Sequence, residues 1–257
     1  MSAKDFARTV RDRLYRVAYQ RVGGRNVVEQ VGVTLAVDHP EVSDRMYYVM
    51  SKDYESRDAL LAATVLTADS QVLELGSSSG FMAIYCRKVL GVRSYAMVEA
   101  NPALDSLIAK NFRLNGLDLK DTPLIGAAAA AEDGAVDLHV HENIWSSGIV
   151  NRGGKTLRVP TRSIPSILSE LPFAPDTLIM DIEGSELAIP PSHFAPFRHL
   201  VIEMHPKLFH DGRERTARLL GDLESLGFGV KEKAGDSYVM ARGTIWSGDP
   251  VDPNIQR

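Results

Sequence analysis

The sequence predicts an α/β chain: a doubly wound, mostly parallel sheet ending in a C-terminal antiparallel hairpin, with a helical N-terminal cap. Three observations predict it. Short apolar runs at 71–75, 94–98, 176–180 and 199–204 alternate with segments of helical periodicity, the pattern of strands joined by crossover helices. A glycine loop, Gly76-Ser77-Ser78-Ser79-Gly80, joins the first of these runs to the helix behind it. The last two runs, 229–233 and 237–241, flank Ala234-Gly235-Asp236, a hairpin turn.

Each element has its own signal. Residues 4–21 read as an amphipathic helix, with Phe6, Val10, Leu14 and Val17 near one face and arginines elsewhere. The expected arrangement docks that apolar face on the body of the protein and leaves the arginines in water. The other reading is a basic arm for an acidic partner or a membrane surface. Gly23-Gly24 stops the helix. Val31, Val33, Leu35 and Val37 alternate with small residues, so a strand is expected before His39-Pro40. Residues 54–66 read as a helix feeding the first core strand, with Ser56 or a neighbour as its cap. Phe81, Ile84, Tyr85 and Val89 keep helical spacing after the glycine loop. Asn101-Pro102 pairs a cap with a first-turn proline, and Leu104, Leu107, Ile108 and Phe112 carry that helix to Asn115-Gly116. A third strand is read at 122–125, a small-residue loop at 126–131 and a further strand at 136–141. Residues 142–175, rich in Gly, Ser, Pro and basic groups, read as a loop excursion of the kind that carries substrate contacts. Leu219, Leu220, Leu223 and Leu226 mark the last helix, 213–226. The expected layout is a helical cap or arm over 1–53, the sheet domain over 54–246 and a loose tail over 247–257.

Composition narrows the function classes. Hydrophobic residues are 44% and charged residues 24% of 257, and no apolar run approaches the ~20 residues of a membrane span. The single cysteine, Cys86, leaves no disulfide framework and no cysteine zinc cluster. No secretory pattern opens the chain, so a cytoplasmic protein without a membrane partner is expected. The net charge of −4 argues against an obligate nucleic-acid partner. The charge is uneven: residues 1–28 carry seven basic and two acidic side chains, a net +5, which leaves −9 for the remainder. A small-molecule partner is expected, and a homodimer is admitted.

The residues that carry chemistry sit at strand ends. The glycine loop reads Glu74-x-Gly76-x-x-x-Gly80. Glycine lets a backbone approach a ligand, and the following helix offers its amides. A carboxylate at Glu74 repels a pyrophosphate and welcomes a cationic amino-acid tail. Together with Ser78 in place of a second glycine, it sets the loop apart from a nicotinamide site. Glu99 ends the second strand 25 positions later, where an acid accepts both hydroxyls of a ribose. The small loop around Ala127 lets an adenine lie flat, with Glu132 and Asp133 in reach of its amino group. Asp181, Glu183 and Glu186 follow an apolar strand within six residues, an expensive arrangement without a purpose. Glu203 and His205 end the next strand, on the same sheet edge. His139 and His141 are read as surface residues rather than ligands, and no metal is expected. Trp145, Arg152, Lys155 and Arg158 are candidate acceptor contacts.

Together these motifs resemble the Rossmann-like class I methyltransferases that use S-adenosyl-L-methionine, and within them the FkbM family. The residues that carry the resemblance are Leu73-Glu74-Leu75-Gly76 with Gly80-Phe81, Glu99-Ala100-Asn101-Pro102, Asn111 with Asn115-Gly116, and Met180-Asp181-Ile182-Glu183-Gly184-Ser185-Glu186 with Ile202-Glu203-Met204-His205. It covers roughly residues 54–241. It implies S-adenosyl-L-methionine as cofactor and O-methylation of a small molecule, a sugar or secondary-metabolite scaffold. It further implies Glu74, Gly76 and Gly80 against the methionine part, Tyr54 nearby, Glu99 at the ribose, Ser77 and Ala100 as further cofactor contacts, and Asp181 beside the transferred methyl. Ser77-Ser78-Ser79 stands where the family carries Ala-Asn, and 159–165 lacks its Leu-Asp, which leaves the acceptor open.

A hydroxyl needs a base before it attacks a methyl group. Asp181 or His205 is expected in that role, with Glu183 and Glu203 orienting the acceptor. A divalent ion on Asp181, Glu203 and His205 is the weaker variant. The competing classes are an RNA methyltransferase gripping phosphates with the basic N-terminal helix, a nicotinamide oxidoreductase, and a module that binds S-adenosyl-L-methionine without catalysis.

Overall fold

The computed structural model describes residues 3–23, 26–52, 54–140, 148, 150 and 154–243. His141, Trp145, Arg152 and the tail 247–257 lie outside the described residues. In chain order the elements are α1 (Ala3–Gly23), β1 (Val27–Gln30), β2 (Val33–Ala36), α2 (Asp44–Met50), α3 (Ser56–Ala62), β3 (Gln71–Leu75), α4 (Phe81–Ile84, continued by a π-helical turn Tyr85–Val89) and β4 (Ser94–Glu99). They continue with α5 (Asp105–Leu114), β5 (Leu124–Gly126), β6 (Ala128–Ala129), β7 (Gly134–Val140), β8 (Lys155–Arg162) and α6 (Ile164–Glu170). The last are β9 (Thr177–Met180), β10 (His199–Glu203), α7 (Gly212–Ser225), β11 (Phe228–Ala234) and β12 (Ser237–Arg242).

The central sheet has seven strands in the order β11-β12-β10-β9-β3-β4-β5. β3 pairs in parallel with both β4 and β9, and β10 and β5 extend the parallel run on either side. β12 is antiparallel to β10 and to β11, which gives the predicted terminal hairpin. The chain winds outward from β3 to β5, then restarts at β9 and winds the other way. The switch point therefore falls between β3 and β9, where doubly wound sheets bind ligands beyond their strand C-termini.

Apolar runs form these strands because both sheet faces are covered. Val72, Tyr95 and Met97 face one core, shared with Phe81, Ile84 and Phe112 of α4 and α5. Leu73, Leu75, Ala96 and Val98 face the other, shared with Ile167 of α6 and Leu219 and Leu223 of α7. Cys86 is fully buried in the first core, and burial pushes its thiol up, as for a packing residue.

The structure corrects four expectations. The strand read across Val31–Val37 is a hairpin, β1–β2, because Val31 and Gly32 both take positive φ and turn the chain. That hairpin is held by α5: the Thr34 amide donates to Asn115 Oδ1 at 2.9 Å and the Ala36 amide to Asn111 Oδ1 at 2.8 Å. Residues 126–131 are not a free loop, since β6 joins β8 and β7 in a three-stranded sheet. The excursion 142–175 contains β8 and α6; Pro160 is tolerated in β8 because pairing with β6 begins only at Thr161. Finally, α1 docks its polar and aromatic face, not its apolar one. Tyr15 and Tyr19 pack on Tyr47 of α2, Arg16 donates to Val42 O and Val37 O, and Asp12 is buried against Arg45. Phe6, Val10, Leu14 and Val17 face outward.

Candidate active site

Three strand tips are stitched together at the switch point. The Asp181 amide donates to Leu75 O at 3.0 Å, and the Gly76 amide donates to Val98 O at 2.9 Å. The approach is so close that a Cβ on Gly76, whose φ is +89°, would lie 1.7 Å from the Asp181 carbonyl oxygen. Gly76 is therefore fixed by backbone proximity, which brings Asp181 beside the glycine loop.

Above this seam lies a cleft lined by Gly76, Glu99, Ala100, Ala127 and Asp181, as expected, and by residues the sequence does not single out, among them Val98 and Leu138. One wall is flat and apolar: Val98, Ala127, Ala128, Ala129 and Leu138 present only small or aliphatic side chains. β6 holds the alanines there, so their pairing with β8 makes a rigid wall where a loop was expected. Glu132 and Asp133 do not line the cleft; the Glu132 carbonyl accepts from the Thr161 hydroxyl and the Asp133 carboxylate from the Ser163 amide.

Glu99 holds the middle. Its Oε2 accepts the Ser78 amide and its Oε1 the Asn101 amide, both at 2.8 Å. Each oxygen keeps a lone pair for a hydroxyl. Burial pushes the carboxyl up to about 7, against the lowering effect of those amides. Ser78 takes φ +46°, a left-handed turn that aims its amide at Glu99. Glu55 and Glu183 are also left-handed, so three of the four non-glycine residues with positive φ among those described line this cleft. Such backbone strain clusters at functional sites.

Other expected residues act from behind the wall. Tyr54 packs edge-on against Phe81 and its hydroxyl lies 3.2 Å from Ser78 Oγ. Ser77 is buried with its hydroxyl donating to Val98 O, and Gly80 faces Ile108 and Phe112. Strand alternation sends Glu74 elsewhere. It is 3% exposed, accepts the Tyr95 hydroxyl at 3.0 Å, and faces an adjoining cavity together with Glu55, Asp58, Met82, Asp181 and Glu203. Burial pushes its carboxyl well up. Burial also lifts Glu55, to about 8.

The turn after β9 carries the densest charge. Glu186 is fully buried; its Oε1 accepts the Ile182 amide at 2.8 Å and its Oε2 the Gly184 amide at 2.9 Å. The same carboxylate holds His205 Nδ1 at 3.1 Å. That pins the ring with Nε2 at 3.6 Å from Asp181 Oδ1 and 3.9 Å from Glu183 Oε2. Burial works to lower His205, but the Glu186 hydrogen bond and three surrounding carboxylates outweigh it and hold the imidazole at about 9. Burial, with repulsion from Glu203, pushes Asp181 well up. Its side chain opens into the cleft, yet Oδ1 is shut from solvent and has no hydrogen-bond partner. Asp181, Glu183 and His205 each offer a ligand atom within 4.8 Å of the others, so they could hold a metal ion only in place of the His205 proton; Glu183 takes the place expected of Glu203. Glu203 instead lines the adjoining cavity.

The cleft can therefore seat a flat ring on its alanine wall, a diol on Glu99, and a positively charged group near Glu55, Asp181 and Glu183. No family model matches the sequence, and no curated protein matches it. Among solved structures, it is similar to the methyltransferase FkbM of Methylobacillus flagellatus KT, at 14% identity over 93% of this chain and 60% of that one, with a TM-score of 0.49. It is also similar to a ribosomal protein L11 methylase of Lactobacillus delbrueckii subsp. bulgaricus, at 14% identity over 85% and 99%, TM-score 0.47. A third is the fibrillarin of Aeropyrum pernix in complex with natively bound S-adenosyl-L-methionine, at 16% identity over 72% of each chain, TM-score 0.44. At these values nothing is carried over from them; strand order and cleft stand on this structure alone.

Proposed function

We propose that the protein is an S-adenosyl-L-methionine-dependent methyltransferase acting on a hydroxyl of a small molecule, of the FkbM kind. The observation that carries this reading is the cleft that lines up the alanine wall beyond β5, the Glu99 carboxylate at the tip of β4 and Asp181 at the tip of β9, with the β3 glycine loop between the last two. A purine, a ribose and a cationic sulfur centre fit these in that order. The carboxyls of Asp181, Glu55 and Glu183 line this cleft, and in their ionised form they suit a cation and repel a pyrophosphate.

The cofactor supplies an electrophilic methyl on its sulfonium. The protein then has to hold the acceptor in line behind that methyl and remove its proton. Asp181 is the proton acceptor in this reading. Burial pushes its carboxyl up, so it accepts that proton only once ionised, a state that a cation nearby favours. His205, protonated at neutral pH, is a positioning residue that holds Asp181 and Glu183.

Calorimetric titration of the full chain with S-adenosyl-L-methionine, S-adenosyl-L-homocysteine and NAD tests the reading. Binding of the two sulfur compounds without NAD is expected. Binding of NAD, or of none of the three by a folded protein, would overturn it.

A further inference from the structure

The outward stripe on α1 is the feature that the cleft leaves unexplained. Phe6, Val10, Leu14 and Val17 are 58%, 40%, 64% and 39% exposed, at the i, i+4, i+8, i+11 spacing of one helix face. An amphipathic helix on a water-soluble body normally buries such a stripe. Here the opposite face is the docked one, tied down by the Tyr15, Tyr19 and Tyr47 rings and by Arg16 on Val37 O and Val42 O. The orientation is thus held by specific contacts, and the apolar face is displayed.

We infer that this face of α1 docks on an anionic phospholipid bilayer, lying in the headgroup plane. Charge selects that occupant. Lys4, Arg8 and Arg13 are exposed on the same helix, while Arg11 is paired with Asp12, the buried acid whose side chain is described there. The first 28 residues carry a net +5 and the remainder −9, so an anionic surface attracts and orients this end of the molecule. A helix with aliphatic and aromatic side chains on one face and arginines beside them is the form that lies in a membrane interface. It does not span: no helix among the described residues is long and apolar enough to cross a membrane. A second copy suits the stripe less. Stripe against stripe would set +5 against +5, and four side chains fall far short of the about 20–30 residues a side of a stable interface.

The test is co-sedimentation of the full chain with vesicles at about 0.1 M salt, where surface charge still acts across roughly 10 Å. Equal parts phosphatidylglycerol and phosphatidylcholine are compared with phosphatidylcholine alone. Binding to the anionic vesicles is expected, about tenfold weaker on the neutral ones. The double variant Val10→Asp, Leu14→Asp should lose about tenfold or more of that binding, because two apolar side chains that enter the bilayer are replaced by charges. Its unfolding midpoint should stay within about 2 °C, since both positions are exposed. The variant Lys4→Gln, Arg13→Gln should weaken binding and flatten its salt dependence. Equal or absent binding of the wild-type chain on both vesicles, or an unaffected aspartate variant, would overturn the inference. So would a lipid-free dimer, broken by the same variant, in a chain that ignores vesicles.

Discussion

Glu186 accepts a hydrogen bond from His205 Nδ1 at 3.1 Å while its two oxygens also hold the amides of Ile182 and Gly184. One fully buried carboxylate therefore both shapes the turn that carries Asp181 and Glu183 and fixes the imidazole that faces them. Replacing Glu186 with Gln keeps the size and one acceptor oxygen but removes the charge. The His205 pKa should then fall from about 9 towards the ordinary imidazole range, read from the ring proton shifts in an NMR pH titration. Stability should drop by about 1–3 kcal/mol as a buried donor loses its charged partner. An unchanged His205 titration would show that Glu186 does not set its charge.

Gly76 should tolerate nothing larger. Gly76→Ala would put a methyl 1.7 Å from the Asp181 carbonyl oxygen at a φ of +89°, so the β3 and β9 tips must part. A loss of about 3 kcal/mol or more follows from the named backbone clash, a fall in midpoint of about 6 °C or more for a chain of this size. Gly126→Ala is the control: no atom lies within 4 Å of its added Cβ, and the midpoint should move by less than about 2 °C. Thermal unfolding of both variants checks the contrast, and equal midpoints would contradict it.

What could be read from residues alone was what burial makes periodic. β3, β4, β9 and β10 are covered on both faces, so they appear as unbroken apolar runs, and the glycine loop and the acidic turn follow from their ends. β8 was hidden because Lys155, Thr156 and Arg158 are exposed or nearly so and Pro160 reads as a breaker, although its partner β7 supplies the pairing. Periodicity also marked the stripe on α1 but says nothing of which way a stripe faces; that was decided by tyrosines and Arg16 finding partners on α2 and on the segment leading to it. In the site, Glu99 and Asp181 were legible as strand-end acids. The role of Glu186 was not, because it depends on a turn that folds the carboxylate back on its own amides.

Stability without ligand should decline as pH rises above about 5. Glu99 and Glu55 have ordinary values of 4.5 and folded values of about 7 and about 8, both raised first by burial. The folded chain therefore binds these protons more tightly than the unfolded one. Their contribution is complete below about 4.5 and is lost as pH rises through about 7 and about 8. A cationic ligand favours the ionised acids, so the midpoint gain from S-adenosyl-L-methionine should grow from pH 6 to pH 8.5, by roughly the same linkage. Calorimetric binding at about pH 7 should release protons, seen as an enthalpy that depends on the buffer. A ligand-free midpoint that climbs over this range would contradict the assignment of buried, protonated acids.

Asp181 separates catalysis from binding. Asp181→Asn keeps the shape at the seam, including the backbone contacts to Leu75 and Gly76, and removes the basic oxygen. Base removal typically costs about 10²–10⁴ in rate. On whichever hydroxyl acceptor a screen with labelled S-adenosyl-L-methionine identifies, kcat should fall by that factor. The Kd for S-adenosyl-L-homocysteine should change by less than about threefold, since that product lacks the sulfonium charge that Asp181 would feel. The wild-type pH profile should rise to a plateau as Asp181 ionises, because the protonated carboxyl cannot accept the hydroxyl proton. A variant that turns over normally would move the base to another group, and Glu183, whose Oε2 lies 3.9 Å from the same His205 nitrogen, is the next to replace.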